Sequence, residues 1–259
     1  FKIATDVGTI GISNSGDAAN AVDDITPSAF EEANGSGSGT YSADFGSGMD
    51  GSMSLSYGNS DLAGTGISVA ANYYPKLDGA TNNEKAASAS TLHTSSSATS
   101  INIGIPLAGL PVIGDTALGG MKITAGYEES DARLATGYGK VGGTVAVNLP
   151  IGPLSVGYQK KGYQARADAI AETNRAFYKD DILGIAYAVN DSFAISYNLY
   201  ESVKHDHSVG NVEQETKAIN IAYTVGGLTL GFQDAKTSNA AYSANTDDDT
   251  RTLSVKTAF

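Results

Sequence analysis

Asp17, Asp23, Asp24, Glu31 and Glu32 crowd one short stretch of the chain, and no Lys, Arg or His lies between residues 17 and 32. The plain reading of such a run is a solvated acidic loop. The sharper one is a fixed negative potential that acts on ions passing close by. Three other patterns imitate chemistry. Gly137-Tyr-Gly139-Lys-Val-Gly142 has dinucleotide-loop spacing, yet it leads into Thr144 to Leu149, an alternating strand pattern where that motif requires a helix. His205-Asp206-His207 offers metal-ligand types, but adjacent loop residues do not encircle an ion. Asp247-Asp248-Asp249 lacks the Gly and Glu spacing of a calcium loop. No metal site is assigned; the acidic loops could take a weakly bound divalent cation, and no other cofactor is expected.

The elements that must position these groups are strands. Leu253, Val255, Thr257 and Phe259 fall on one face of the last segment, and Thr252, Ser254, Lys256 and Ala258 on the other. The same period of two recurs through Ile67–Tyr73, Val141–Leu149, Leu183–Val189, Phe193–Leu199, Ile219–Tyr223 and Leu228–Phe232. About thirteen strands result. Their connections alternate between tight turns, such as Asp6-Val7-Gly8 and Gly226-Gly227, and long polar segments such as residues 14–48 and 75–97. Long loops at one end and short turns at the other are the pattern of a transmembrane β-barrel. In such a barrel the apolar face meets lipid and the polar face meets a water-filled lumen.

Composition agrees. The longest near-apolar stretch, Ile101 to Gly114, is interrupted and shorter than the roughly 20 residues a membrane helix needs. There is no cysteine, so disulfides and thiolate metal sites are excluded. A net charge of −12 argues against nucleic acid as a partner. Tyrosine leads the aromatics with 14 residues, as interfacial girdles require. No leader is visible: either one was removed, or the chain begins inside a longer protein. An odd strand number favours the second, because single-chain bacterial barrels have even numbers.

Taken together, the chain resembles a Gram-negative general porin, a trimeric barrel of 16 strands whose third external loop folds into the pore. The segment at residues 14–48 occupies that loop's place. Its run Asp23-Asp24-Ile25-Thr26-Pro27-Ser28-Ala29-Phe30-Glu31-Glu32 resembles the loop of alphaproteobacterial porins in particular. Phe259 matches the carboxy-terminal signal read by the barrel-assembly machinery. The resemblance implies one all-β, antiparallel barrel domain over residues 1–259, with three strands of the 16 missing at the amino end. It implies a homotrimer in the bacterial outer membrane, in contact with lipid and lipopolysaccharide. It also implies passive diffusion of small hydrophilic solutes and no enzymatic activity; the acidic loop and the net charge of −12 point to a cation bias. Asp17, Asp23, Asp24, Glu31 and Glu32 would then line the constriction, with Ile25 to Phe30 as a short helix bracing the loop.

Strand parity supplies the opposing cations: Lys2, Lys122, Lys140, Lys161 and Lys256 share the lumen register. A lysine facing lipid at mid-membrane would cost roughly 2–4 kcal/mol. Lys160 and Lys217 fall on the lipid parity and are expected near the interface. Two rival readings remain. A barrel enzyme of protease or lipase type would need a catalytic His at the mouth, and only His93, His205 and His207 exist. A soluble all-β surface protein would keep its polar face outward.

Overall fold

The computed structural model describes residues 1–14, 16–33, 45, 52–75, 97–109, 114–116, 118–130, 139–166, 176–206 and 210–257. The strands are β1 (Lys2–Thr5), β2 (Gly8–Ser13), β3 (Ser54–Asn59), β4 (Ser68–Tyr74), β5 (Ala98–Pro106), β6 (Lys122–Ser130) and β7 (Gly139–Ile151). They continue as β8 (Leu154–Arg166), β9 (Ala176–Asn190), β10 (Phe193–Asp206), β11 (Gly210–Val225), β12 (Leu228–Ser238) and β13 (Asp248–Thr257). All thirteen form one sheet in sequence order, each antiparallel to the next. The β11–β12 hairpin shows why the turns are tight. Gly226 and Gly227 hold φ of 56° and 84°, the left-handed pair whose twist matches that of the flanking strands.

Burial is the reverse of a soluble domain's. Gln159, Asn198, Thr216, Asn220 and Gln233 are fully buried, whereas Ile12, Leu55, Val145, Ile219 and Leu253 stand exposed. Along β12, Leu230 and Phe232 point outward and Gly231 and Gln233 inward, so the alternation read from sequence is the alternation of the wall. Tyr73, Tyr127, Tyr158, Tyr187, Tyr197 and Tyr223 join the exposed rows.

The polar face is concave. Residues 17–33 lie against it, reaching Asn72 of β4 through Ala18 and Gly231 of β12 through Phe30. The ring of Phe30 also lies 5.3 Å from the Lys256 ammonium of β13. Ala18 and Phe30 are twelve residues apart and reach at most about 43 Å fully extended, less with the 3-10 helix at Asn20–Val22. Nine interstrand steps on a flat sheet would already need about 43 Å. The segment reaches from β4 to β13 because the sheet curls around it.

Two details differ from the sequence reading. Several strands run further into polar sequence: β8 and β9 take up much of residues 164–180, and β10 and β11 much of residues 203–213. Outward charges pair nearby, two of them across strands and one along β11. Lys160 Nζ lies 2.6 Å from Asp181, Arg251 Nε lies 3.2 Å from Asp234, and Lys217 bonds Glu215. Alternation scored on apolar residues alone stops short of them. Second, residues 25–30 are not helical; the one helical turn of the segment is at Asn20–Val22. Pro27 and the wall bonds to residues 25–29 hold that stretch in an irregular path.

Replacing Ile185, in the middle of the outward row of β9, by Lys is expected to destabilise the barrel by roughly 2–4 kcal/mol in lipid. Denaturant unfolding from bilayers measures it; no loss would mean that this face does not meet lipid.

Candidate functional site

The acidic segment is held by amide side chains on the inner register, on one strand after another. Asn72 of β4 accepts from Ala18 N at 3.0 Å, and Asn102 of β5 donates to Ala18 O at 2.6 Å. Asn148 of β7 donates to Ile25 O at 2.8 Å. Gln159 of β8 donates to Val22 O at 3.0 Å and to Asp23 O, while its carbonyl accepts from Ile25 N at 3.0 Å. Asn198 of β10 donates to Pro27 O at 3.0 Å, and Gln233 of β12 to Glu32 O at 2.7 Å. Ser196 adds a bond from Ala29 N at 2.9 Å. An amide both donates and accepts, so it can meet either group of an irregular backbone.

Small inner residues make the approach possible. A Cβ at Gly184 would stand 2.5 Å from Pro27 O, and one at Gly231 would stand 2.2 Å from Phe30 Cδ2. Ala19, Val22 and Phe45 pack together against β6 and β7, and Ala33 packs with Ile182, Tyr200, Ala218 and Ala235.

Electrostatically the segment centres on Lys161 of β8. Its side chain is fully buried, with the ammonium 2.9 Å from Asp23, 3.0 Å from Asp24 and 3.9 Å from Asp180 of β9. Asp180 is held by Tyr200 and by Ser202 at 2.6 Å. Removing one member of such a buried set leaves uncompensated charge, which is why it fixes geometry more than it adds stability. Burial pushes the Asp23 carboxyl up to about 7 against the pull of Lys161, with Asp24 and Asp180 adding to the rise. Glu32 is likewise pushed up to about 7, by burial first and by its hydrogen bond with Glu31 second; Asp24 also contributes. Asp24, Glu31 and Glu32 therefore share one field.

Asp17 stands apart from that group. Its carboxylate accepts from Ala19 N at 2.8 Å, and it lines a cavity of about 660 Å³ with Lys2, Ser56, Ser68, Asn72 and Asn102. Lys122 lies across Gly104 beside Ser68 on the inner face, and Lys256 sits over Phe30. Lys140 belongs to β7, opposite Ser130. The structure thus brings Asp23 and Asp24 onto Lys161, and Asp17 and Lys2 to one cavity. His205 packs on Phe177 with centroids 6.0 Å apart, and Asp248 opens β13 with Asp249 opposite Lys236. Gly139 to Gly142 lie in a strand. Phe259, His93 and His207 fall outside the described residues.

Sequence reasoning missed the amide row and the Asp180–Tyr200–Ser202 support. The amides were visible as one Asn or Gln on the polar parity of strand after strand. Asp180 was hidden because its neighbourhood read as loop.

No family model and no curated protein sequence matches the chain. Solved structures do. A porin aligns over 98% of this chain and 80% of its own, at 12% identity and a TM-score of 0.62. The outer-membrane expressed OmpT of Vibrio cholerae covers 95% of this chain and 75% of its own, at 12% identity and a TM-score of 0.61. The outer membrane channel DcaP of Acinetobacter baumannii covers 97% and 71%, at 13% identity and a TM-score of 0.56. At such identities the likeness concerns the fold: an all-β antiparallel barrel of the outer-membrane, porin-like type.

Gln159→Ala removes bonds to three consecutive groups of the segment, and each buried partner left unmet costs about 1–3 kcal/mol. The expected outcome is an intact barrel with residues 17–33 newly open to protease. Unchanged resistance would mean the amide row does not hold the segment.

Proposed function

We propose that the chain is a bacterial outer-membrane porin, through which small hydrophilic solutes and ions diffuse passively. The observation that carries this reading is the reversed burial: a polar, amide-lined concave face behind an apolar, tyrosine-bearing outer one. Residues 14–48 act as the constriction loop, with Asp17, Asp23, Asp24, Glu31 and Glu32 as its charges and Lys2, Lys122, Lys140, Lys161 and Lys256 on the wall. Only Lys161 pairs with the Asp23–Asp24 pair at hydrogen-bonding distance among the described residues, so the loop keeps a negative excess and the pore a cation bias. No enzymatic step and no cofactor are needed.

The working unit is a homotrimer in contact with lipid and lipopolysaccharide; one similar structure is described as a trimer form of OmpT. The Asp23-to-Glu32 run supports kinship with alphaproteobacterial porins. Phe259 serves as the assembly signal.

Single-channel recording in planar bilayers tests the reading: discrete conductance steps are expected, and their absence from folded protein would refute it. Replacing Asp23, Asp24, Glu31 and Glu32 by Asn and Gln should lower cation over anion permeability. The effect should be largest near 0.01 M salt, where the Debye length is about 30 Å. Because Asp23 and Glu32 are pushed up to about 7, they are largely protonated below that pH and ionised above it. Cation selectivity of the wild type should therefore rise from pH 6 to pH 8, and the rise should vanish in the fourfold variant. Reversal potentials read both effects.

A further inference from the structure

The turn between β12 and β13 is strained. Asn239, Ala241, Tyr242 and Asn245 all hold φ between 52° and 61°, the left-handed region that costs a residue with a Cβ. Such strain persists only where surrounding contacts over-determine it. Here Ala240 N donates to Thr246 O at 2.7 Å, Ala241 N to Gln214 Oε1 at 3.1 Å, and Asn239 Nδ2 to Glu213 O at 2.9 Å. The result is a tyrosine turned back onto the wall. The Tyr242 ring lies 5.5 Å from that of Tyr178, itself 6.1 Å from Tyr163, and its hydroxyl is 2.7 Å from Ser202 Oγ. Ser202 donates to Asp180, so the Tyr242 hydroxyl donates to Ser202. Asp180 faces Lys161, and Lys161 holds Asp23 and Asp24. A line of contacts runs from the last long-loop turn to the acidic segment, through four buried residues: Ser202, Asp180, Tyr200 and Lys161.

We propose that Tyr242 is a positioning residue for the acidic segment. The strained turn sets its ring against Tyr178 and its hydroxyl on Ser202, which holds Asp180; it thereby keeps water from Lys161 and holds Asp23 and Asp24 at the wall. The effect on the pore rests on the porin reading; the shielding of Lys161 does not.

Lys160 provides an internal reference, since its side chain is 56% exposed and that of Lys161 is 0% exposed. Folded wild type in detergent is treated with N-hydroxysuccinimidyl acetate, and acetylation is read by mass spectrometry. Lys161 should react at least about tenfold more slowly than Lys160. Tyr242→Ala should raise the Lys161 rate about tenfold and leave Lys160 unchanged; Tyr242→Phe, which keeps the ring, should restore part of the protection. In bilayers Tyr242→Ala should show altered conductance with added open-channel noise. Equal Lys161 protection in wild type and Tyr242→Ala overturns the proposal, as does fast Lys161 labelling in the wild type. If Tyr242→Ala does not fold, Ser202→Ala breaks the same line within the strand, and unchanged Lys161 protection there overturns it equally. Exposed Lys161 in a variant of a protein that forms no channel refutes the porin reading alone.

Discussion

Irregular backbone inside a barrel must find hydrogen-bond partners, and this constraint organises the rest of the molecule. Each peptide group of residues 17–33 needs a donor or acceptor, because an unmet buried one costs as much as a lost bond. Water supplies that role on a surface. Here the wall supplies it, with Asn and Gln side chains of β4, β5, β7, β8, β10 and β12 reaching inward. Because a β-strand alternates faces, the outward neighbours of those amides are free to be Ile, Leu and Tyr. The period of two that makes the outer face apolar is thus the same period that spaces the amides. A register slip of one residue would destroy both at once.

Charge is arranged on top of that scaffold. Asp23 and Asp24 could not sit against the wall without Lys161, and Lys161 could not be buried without them. Asp180 gives the ammonium a further acidic neighbour, fixed by Tyr200 and Ser202. The set carries more carboxylates than ammonium groups, so part of its charge is held only weakly. That is the physical content of the raised Asp23 and Glu32: burial and like charges leave them near the midpoint of ionisation at neutral pH. A charge that hydrogen bonds had fully satisfied would be a rigid brace with no midpoint near physiological pH.

The sequence made the wall legible and the loop only partly so. Alternation at Leu228–Phe232 and Phe193–Leu199 named the outward faces correctly, and all thirteen strands are present, because period-two patterning is a local consequence of one strand's two environments. Strand length was harder to see. Lys160, Glu201 and Asp234 break the apolar row yet continue the strand, through pairings that no single segment contains. The expected helix at Ile25 to Phe30 failed for a related reason: its residues meet β7, β8, β10 and β12, and those contacts override local propensity. Lys161 was placed on the correct face by parity, but that its partners would be Asp23, Asp24 and Asp180 is a tertiary fact.

The way the segment lies also divides the lumen. It hugs the wall from β4 to β13, fixed by amides along its length, and among the described residues a cavity lies between its start and β1–β5. Thr9, Ser13, Ser56 and Ser68 line it beside Tyr57, Val69 and Ala70, with Lys2 and Asp17 as the charges. Hydroxyls of that kind can hydrogen-bond a solute directly or through a bridging water. On the porin reading, the carboxylates at Asp23, Asp24, Glu31 and Glu32 act across this space through their field and not by contact. Field and contact surface then reside on different residues. On that reading, selection by charge changes with pH while the contact surface does not.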